Sequence, residues 1–440
     1  MIDKIDFWTS APFHCPITDA SIILGNRSTK APQLGLGKNK TLIVNYQHKL
    51  YEQFLSYYVG ADMKKYNAPL NWKVMGQDEV DPNRINLIAS PGMGTQWGHI
   101  RMAQLLERSD VIQFAKDNNI TIIMPWLFEL YMCGEGWSET DPKSYNQFLR
   151  DFKELITMVP PRNFQYIMNS YDKTRFQHDA IFRPYITHID AFDKIAIPAP
   201  VLFDPYQEHT YKLSFPVGTL IQRWSRVDSM IELIRRNILM NEDVIYTVNC
   251  LNPVRDMEWF KTAPNAVREE KNREFALDYG IEKIFKNVMY NSEGERLTKE
   301  NFSYEKERHW FATPPQFLDS QFQFVIESRI HAPSITEKVY RPLAHGQPFV
   351  WMAYPHLKQY LESKGYKFYP WIDYSFDSIE NEIKRFYAVM DEIERLYHMD
   401  LKELLIESEE ISIHNSACYL KNSNDTSDMD NFLLNLQGLK

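Results

Sequence analysis

Residues 334–351 read SITEKVYRPLAHGQPFVW, and this stretch predicts a short helix followed at once by a buried strand. Ser334 or Thr336 can cap the helix, and Glu337 in the first turn suits the positive end of the helix dipole. Gly346 offers the left-handed residue that ends many helices, and the apolar run QPFVWM is typical of a strand buried on both faces. A helix and a strand within twenty residues indicate an α/β layer, in which helix N-termini and strand ends face a ligand crevice.

Strand-like and helix-like patterns alternate along the chain on both sides of this stretch. The strand-like runs are residues 41–46, 85–90, 120–128, 164–169, 243–248, 322–327 and 348–353. The amphipathic helical runs include residues 145–158, 227–239 and 378–397. Such alternation over most of the chain is typical of parallel sheets covered by helices. Within the helix of the opening stretch, Pro342 lacks an amide donor and is expected to kink or shorten it.

The chain length predicts two domains, because 440 residues are too many for one ordinary core. Residues 195–207 carry three prolines and show no clear period, so we expect the crossing between domains there. We therefore predict a first domain over residues 1–198 and a second over residues 199–400. Residues 401–440 are expected to form a helix and a polar tail, with the stretch NSNDTSDMD as a mobile link.

Composition excludes some classes of protein and leaves others open. The net charge of −9 and the pI near 5.8 disfavour a large nucleic-acid surface, which needs clustered Lys and Arg. The 14% aromatic content suits large cores as well as carbohydrate or base stacking. No run of eighteen apolar residues occurs, so no membrane partner is expected. The four cysteines, which form no CxxC pair, fit reduced thiols and a cytoplasmic location, and they are Cys15, Cys133, Cys250 and Cys418.

Local motifs for dinucleotides and metals are weak. The glycine-rich stretch SPGMGTQWGHI (90–100) follows a strand and could hold phosphate with its amides, but its glycines miss the GxGxxG spacing by one residue. A simple turn and a loop lining some other ligand stay open as alternatives. There is no HExxH or GxSxG motif, and the only DxD, Asp428-Met-Asp430, stands in the polar tail. The sequence therefore predicts no metal site.

The segment FQFVIESRIHAPSITEKVYRPLAHGQPFVW (322–351) resembles the donor-binding motif of the α-1,3-fucosyltransferase family. That motif is roughly F-E-N-S, a spacer, Y-V-T-E-K, and a helix that ends in G-x-P-V. The matching residues are Phe324, Glu327, Ser328, Thr336, Glu337, Lys338, Gly346 and Pro348. Two departures occur: Ser328 follows Glu327 with no Asn between them, and Ile335 replaces the usual Val. The resemblance covers roughly residues 215–400, and residues 357–396 are similar to the fucosyltransferase-like proteins of large viruses, phages and bacteria.

This resemblance implies a glycosyltransferase with two Rossmann-like domains facing a cleft, an arrangement called GT-B. The C-terminal domain would bind a GDP- or UDP-linked nucleotide sugar as co-substrate, without a cofactor or an essential metal, and transfer to a carbohydrate or other hydroxyl acceptor would invert the sugar. Glu337 would bind the ribose hydroxyls, and Lys338 and Arg226 would face the pyrophosphate, with Arg223 as a neighbouring candidate. The full set of implied donor-binding residues is Arg223, Arg226, Glu327, Ser328, Thr336, Glu337 and Lys338. The departing diphosphate gains negative charge, which cations and helix N-termini can stabilise.

The sequence defines the catalytic base less clearly than it defines the donor-binding residues. Inverting transfer needs a group that takes the proton of the acceptor hydroxyl, usually a carboxylate or histidine. Glu135 in YMCGEGW resembles a family stretch in which a Gly-Glu pair supplies that carboxylate. Glu129 and His99 are the competing candidates in the N-terminal half.

Three other functions stay open from sequence. A phage-type enzyme that glycosylates a hydroxymethylated DNA base would share the fold but would need base flipping and a basic acceptor surface, which the acidic net charge disfavours. A noncatalytic binding protein of the same fold would keep the donor motif without turnover. A nicotinamide-dependent oxidoreductase would rest on the glycine-rich stretch alone.

Overall fold

The structure, a computed structural model, is an α/β protein with two sheets of parallel strands. It describes residues 5–9, 71–76, 78–89, 102, 105–126, 142–168, 171, 181–190, 193, 201–219, 224–250, 252–263, 266–286, 288–290, 294–297, 313–327 and 330–438. The chain divides into two compact units, of which unit 1 is Met1–Lys194 with Asp425–Lys440 and unit 2 is Ile195–Asn424. The α/β class predicted from sequence is confirmed.

Unit 1 contains a six-stranded parallel sheet in the order β2-β1-β3-β4-β5-β6. Its strands are β1 Ile5–Thr9, β2 Asn71–Val74, β3 Ile85–Ala89, β4 Thr121–Trp126, β5 Phe164–Met168 and β6 Ile186–His188. The described helices in its first segment are α1 Ser109–Asp117 and α2 Pro142–Met158. On α2, Phe152 is fully buried and stacks on Phe182, with ring centroids 4.6 Å apart, so this helix contributes aromatic packing to the core of the unit.

Unit 2 contains a four-stranded parallel sheet in the order β12-β11-β7-β8. Its strands are β7 Tyr211–Thr219, β8 Val244–Asn249, β11 Ser320–Ile326 and β12 Phe349–Met352. A short antiparallel pair, β9 Met289–Tyr290 and β10 Arg296–Leu297, lies outside this sheet. Six of the seven strand-like runs predicted from sequence are confirmed across the two units, and the run at 41–46 lies outside the described residues.

Nine described helices belong to unit 2, and five of them form two packing groups. The nine helices are α3 Trp224–Arg235, α4 Pro253–Thr262, α5 Glu270–Tyr279, α6 Pro315–Leu318, α7 Glu337–His345, α8 Leu357–Ser363, α9 Glu382–His398, α10 Lys402–Glu407 and α11 Glu409–Asn424. Helix α3 packs against α5 and α9, whereas α7 packs against α11. The predicted helical runs at 145–158, 227–239 and 378–397 correspond to α2, α3 and α9.

The strand order of unit 2 creates a switch point between β7 and β11. From β7 the chain passes through α3 to β8 on one side, and from β11 it passes through α7 to β12 on the other. Because such crossovers are right-handed, helices that lead in opposite directions cover opposite faces of the sheet, in agreement with the two packing groups. The N-termini of α3 and α7 therefore flank the gap between the carboxyl ends of β7 and β11, where open α/β sheets bind ligands.

The ladder between β7 and β11 stops short of the strand ends. Its last paired residues are Gln323 and Ser214, although β11 continues to Ile326 and β7 continues to Thr219. The register between β7 and β8 also shifts between Pro216 and Gly218. Directly beyond the last pair, Phe215 and Phe324 are buried and stack with ring centroids 4.6 Å apart, so side-chain packing holds the two strands together there.

Helix α7 has the local structure that the opening stretch predicts. Thr336 is the N-cap residue, and its Oγ1 accepts a hydrogen bond from the amide of Lys338 at 3.5 Å. Gly346 is left-handed, with φ 68° and ψ 27°. The amide of Gln347 donates to the Pro342 carbonyl at 2.9 Å, and that of Gly346 donates to the Leu343 carbonyl, which together form a Schellman motif. The helix continues for one turn past Pro342, because the caps at both ends satisfy its exposed backbone groups.

The final segment differs from the prediction of a helix followed by a polar tail. Its last described helix, α12 Ser427–Gly438, belongs to unit 1, whereas α10 and α11 belong to unit 2. Within the stretch 422–430, only residues 425 and 426 lie between α11 and α12, and the other residues are helical. The reason is local capping: Asp425 Oδ1 accepts from the amide of Ser427 at 2.9 Å, and Thr426 Oγ1 donates to Asp430 at 2.9 Å. Leu433 and Leu436 then bury the apolar side of α12.

Helix α3 carries a buried carboxyl group in its second turn. Asp228 is 1% exposed, and its Oδ2 accepts from the amide of Arg268 at 2.8 Å. Burial raises the pKa of Asp228 to about 7, although the hydrogen bond from the amide of Arg268 opposes the rise. Between about pH 4 and 7, the folded protein therefore keeps a proton on Asp228 that the unfolded chain, with a carboxyl pKa near 3.8, has already released.

We expect Asp228→Asn to stabilise the protein at pH 8 by about 1–3 kcal/mol, because the amide avoids the cost of a buried charge. Because the folded pKa is the higher one, Asp228 favours the folded wild-type protein most below the unfolded pKa, and this contribution is lost as the pH rises through 7. The stability gained by Asp228→Asn should therefore be smaller at pH 5 than at pH 8. Urea denaturation at both pH values measures the difference. Asp278→Asn, at an exposed position of α5, is the control that should change neither value. A variant less stable than wild type at pH 8 would contradict the assignment.

Candidate functional site

Five residues predicted from sequence to bind the donor lie at the carboxyl edge of the unit 2 sheet. Glu327 directly follows β11, Thr336 caps α7, and Glu337 and Lys338 are the first two residues of α7. Arg226 is the third residue of α3, the helix that follows β7. Because β7 and β11 are parallel neighbours, the loops after both strands lie at one edge. The sheet topology thus brings Arg226 to the same edge as the Thr336–Lys338 turn.

Glu327 fixes the start of α7 from inside the core. The side chain of Glu327 is fully buried, its Oε1 accepts from the amide of Thr336 at 2.9 Å, and its Oε2 accepts from Thr336 Oγ1 at 2.6 Å. Burial raises the pKa of Glu327, against the charge of Lys338 and the two hydrogen bonds from Thr336. The amide of Glu327 also donates to the Met352 carbonyl at 3.0 Å. One side chain therefore ties the end of β11 to the N-cap of α7.

Lys338 is the most exposed side chain of this network. Its Nζ lies 2.7 Å from Glu337 Oε1 and 3.2 Å from Thr336 Oγ1, and 20% of the side chain is exposed, compared with 10% for Glu337. Burial raises the pKa of Glu337, but the charges of Lys338 and Arg341 outweigh it and lower that pKa overall. The turn therefore presents an ionised carboxylate and an ammonium group together at a helix N-terminus.

Arg226 brings a second cation to the edge. It is 5% exposed, and its Nη1 lies 3.3 Å from the position that a Cβ at Gly218 would occupy. Gly218 has φ 70°, which favours glycine, and it stands one residue before the end of β7. The guanidinium group of Arg226 therefore packs on the glycine backbone at the carboxyl end of β7, beside the gap toward β11.

Sequence reasoning missed Arg341 as a member of this charge group. Arg341 is buried on α7 and lies four residues after Glu337, the spacing that places two side chains on one helix face. Its charge is the second of the two that lower the pKa of Glu337. The i, i+4 spacing of a carboxylate and a guanidinium was the signal present in the sequence.

Two further residues near the motif have other roles. Tyr340 is 1% exposed and packs between Tyr366 and Tyr419, with ring centroids 6.4 and 6.3 Å away, so it belongs to the core between α7 and α11. His331 Nδ1 lies within hydrogen-bond distance of Glu382 Oε2, so its ring contacts the first residue of α9.

The remaining predicted site residues lie outside the described residues. They are the candidate bases His99, Glu129 and Glu135 and the donor-binding candidates Arg223 and Ser328. The glycine-rich stretch 90–100 directly follows β3 and lies outside the described residues as well. These assignments stay predictions.

The described arrangement suits an anionic ligand with hydroxyl groups. Lys338 and Arg226 supply positive charge on either side of the switch point, and the N-termini of α3 and α7 add the positive ends of two helix dipoles. The ionised Glu337 can accept hydrogen bonds from hydroxyl groups. A diphosphate linked to a ribose combines both features.

A scan against protein-family models gives no match for this chain, and a search of curated proteins gives none. Within the described ranges, no three His, Cys, Asp or Glu side chains gather in a group that could hold a metal ion. No helix in the described part of the chain combines the length and the apolar content that a bilayer crossing requires.

We expect Glu327→Ala to destabilise unit 2 by about 2 kcal/mol, because the amide and hydroxyl of Thr336 would lose their acceptor in the core. Thr336→Ser keeps the hydroxyl and should cost less than about 1 kcal/mol. Chemical denaturation of the two single variants measures both values. Equal stability of Glu327→Ala and wild type would show that the carboxyl group does not hold the start of α7.

Proposed function

We propose that this protein is a glycosyltransferase that moves a sugar from a nucleotide-sugar donor to a hydroxyl acceptor, with inversion and without a metal. The observation that carries the proposal is the pair of cations, Arg226 and Lys338, at two helix N-termini on either side of a switch point. The resemblance of residues 322–351 to the α-1,3-fucosyltransferase donor motif supports the same function. The two parallel-sheet units are compatible with a GT-B enzyme, and that arrangement is part of the proposal.

The donor is proposed to lie across the carboxyl ends of β7 and β11. Glu337 accepts hydrogen bonds from the ribose hydroxyls, and Lys338 donates to the diphosphate. An ammonium group has three donors, so Lys338 can bind a phosphate oxygen while it keeps its contacts with Glu337 and Thr336. Arg226, which stands on the β7 side of the gap, adds a second positive charge to the diphosphate.

The transfer step breaks the bond between the anomeric carbon of the sugar and the oxygen of the diphosphate. The acceptor hydroxyl forms the new bond on the opposite face of the sugar, and its proton passes to a base, for which Glu135, Glu129 and His99 are the candidates. The electron pair of the broken bond leaves with the diphosphate. Lys338 and Arg226 stabilise the negative charge that develops there, which is the electrostatic role that a metal ion has in other enzymes.

A thermal-shift screen of guanosine, uridine and cytidine diphosphates and their sugars tests the proposal. A ligand at 100 times its Kd stabilises the folded state by about 2.7 kcal/mol, so one nucleotide class should raise the Tm by several degrees. Slow hydrolysis of the stabilising sugar nucleotide in the absence of acceptor would distinguish an enzyme from a noncatalytic binding protein. If none of these nucleotides raises the Tm, the proposal is wrong.

A further inference from the structure

A cavity of about 570 Å³ lies in unit 2 beyond the carboxyl end of β12. Its walls are the first turns of α8 and the segment 368–378, and we name it the β12 pocket. The cavity volume falls within the roughly 300–1,000 Å³ typical of small-molecule sites. Its lining shares no residue with the donor site proposed above.

The floor of the β12 pocket is aromatic and rigidly packed. Tyr374 stacks on Trp351 with ring centroids 5.0 Å apart, and Phe368 meets Tyr374 edge-on at 5.0 Å. Trp351 and Tyr374 are buried, whereas Phe368 is half-buried and lines the cavity. The floor therefore offers to a ligand part of the Phe368 ring, which Trp351 and Tyr374 hold in place and over which Lys358 Nζ lies 5.3 Å from the ring centroid.

Asp377 joins the two walls of the pocket. Its Oδ1 accepts from Trp351 Nε1 and its Oδ2 accepts from the amide of Lys358, both at 2.9 Å. Its main-chain carbonyl accepts from the amide of His356, also at 2.9 Å. The floor, the α8 wall and the 374–378 wall are thus fixed to one buried side chain, so a ligand would meet a site that is already formed.

The rim is polar, and its charges are paired. Lys358 forms an ion pair with Glu362, and His356 Nε2 lies 2.8 Å from Glu380 Oε1. Within the described residues, the side-chain amide of Gln359 and the side-chain hydroxyl of Ser375 have no hydrogen-bond partner in the protein. The rim can therefore donate and accept hydrogen bonds, but it presents little net charge to attract an anion.

We propose that the β12 pocket binds a neutral carbohydrate. A pyranose has an apolar face of C–H groups, which stacks on an aromatic ring, and a periphery of hydroxyls, which need both donors and acceptors. Phe368 provides the ring, and Gln359 and Ser375 provide the hydrogen-bonding groups. The inference goes beyond the proposed transfer reaction and does not depend on it.

Saturation-transfer NMR with cellobiose, maltose, lactose and chitobiose, without any nucleotide, tests this proposal. We expect transfer to the pyranose C–H protons of at least one disaccharide, and Phe368→Ala should weaken its binding by about tenfold. Gln359→Trp, at an exposed rim position, should block the mouth without touching the floor and abolish the signal. Tyr206→Ala removes an aromatic side chain that is 61% exposed outside the pocket, and it should have no effect.

Two results would overturn the proposal: no transfer to any of the four disaccharides, or equal transfer in wild type and Gln359→Trp. Gln359→Trp leaves the floor intact, so it still tests the proposal if Phe368→Ala does not fold. The circular dichroism spectrum of Gln359→Trp should match that of wild type. Because no nucleotide is present, failure here leaves the donor site untested, and failure of the nucleotide screen leaves this result unchanged.

Discussion

Lys338→Ala is expected to weaken the binding of nucleoside diphosphates by about 100-fold, or ~2.7 kcal/mol. The side chain supplies the partly exposed ammonium group at the start of α7, and a hydrogen bond from a charged donor to phosphate is stronger than one between neutral groups. Its loss would also leave the carboxylate of Glu337 to repel the ligand. Isothermal titration with the diphosphate that gives the largest thermal shift measures the change.

Lys358 offers a matched control for this measurement. It is the second residue of α8, as Lys338 is of α7, and it is also paired with a glutamate. Lys358→Ala should leave diphosphate affinity unchanged, and Lys338→Arg should retain much of it because the positive charge remains. Equal affinity of Lys338→Ala and wild type for every diphosphate would remove the proposed phosphate role.

Gly346→Ala is expected to destabilise unit 2 by about 4 kcal/mol, the largest effect on stability that we predict. Gly346 has φ 68°, a conformation that costs an alanine roughly 1 kcal/mol. A Cβ at this position would also lie 2.2 Å from the carbonyl oxygen of Ser412, which is backbone of α11 and cannot rotate away. Because α7 packs on α11, the whole helix would have to shift. Urea denaturation of the ligand-free protein measures the loss.

Gly365 separates the two causes of that loss. It also has a positive φ, 94°, but a Cβ there would meet only the Sγ of Cys418 at 3.3 Å. Gly365→Ala should therefore cost about 1 kcal/mol, from backbone strain and slight crowding. Similar losses in Gly346→Ala and Gly365→Ala would show that the close approach of α7 and α11 is not rigid.

The part of the fold that sequence predicted well is governed by local chemistry. Thr336 and Gly346 are residues that cap helices for their own conformational and hydrogen-bonding reasons, so the bounds of α7 followed from the stretch alone. Apolar runs buried on both faces likewise predicted β11 and β12. The same local signals predict the charged pair Glu337 and Lys338 at the helix start, where the structure has it.

The central strand β7 was missed because its sequence breaks a local rule. Pro216 lacks an amide donor and Gly218 weakens a strand, so YKLSFPVGT does not look like the middle of a sheet. The structure accommodates both through the register shift opposite β8, and pairing with β11 has already ended before Pro216. This irregular end of β7 is also where Arg226 packs on Gly218, so the feature that hid the strand helps to form the site.

Long-range contacts explain the other features of the site that local sequence patterns do not predict. The buried bond network of Glu327 depends on a residue nine positions away, and the role of Arg341 depends on its burial beside Glu337. The polar composition of residues 422–430 predicts a link, although side-chain capping by Asp425 and Thr426 lets a helix begin at Ser427. The β12 pocket joins residues from two elements, and no local pattern marks such a cavity.

An NMR titration can locate the diphosphate directly. The protein carries ¹⁵N-labelled lysine, threonine and glycine, and the ligand is the nucleoside diphosphate that binds it most tightly. The central claim is that the diphosphate lies between the N-termini of α3 and α7. We expect the largest chemical-shift changes at the amides of Thr336, Lys338 and Gly218. Saturation of the protein with shifts confined to other amides, and none at these three, would contradict it.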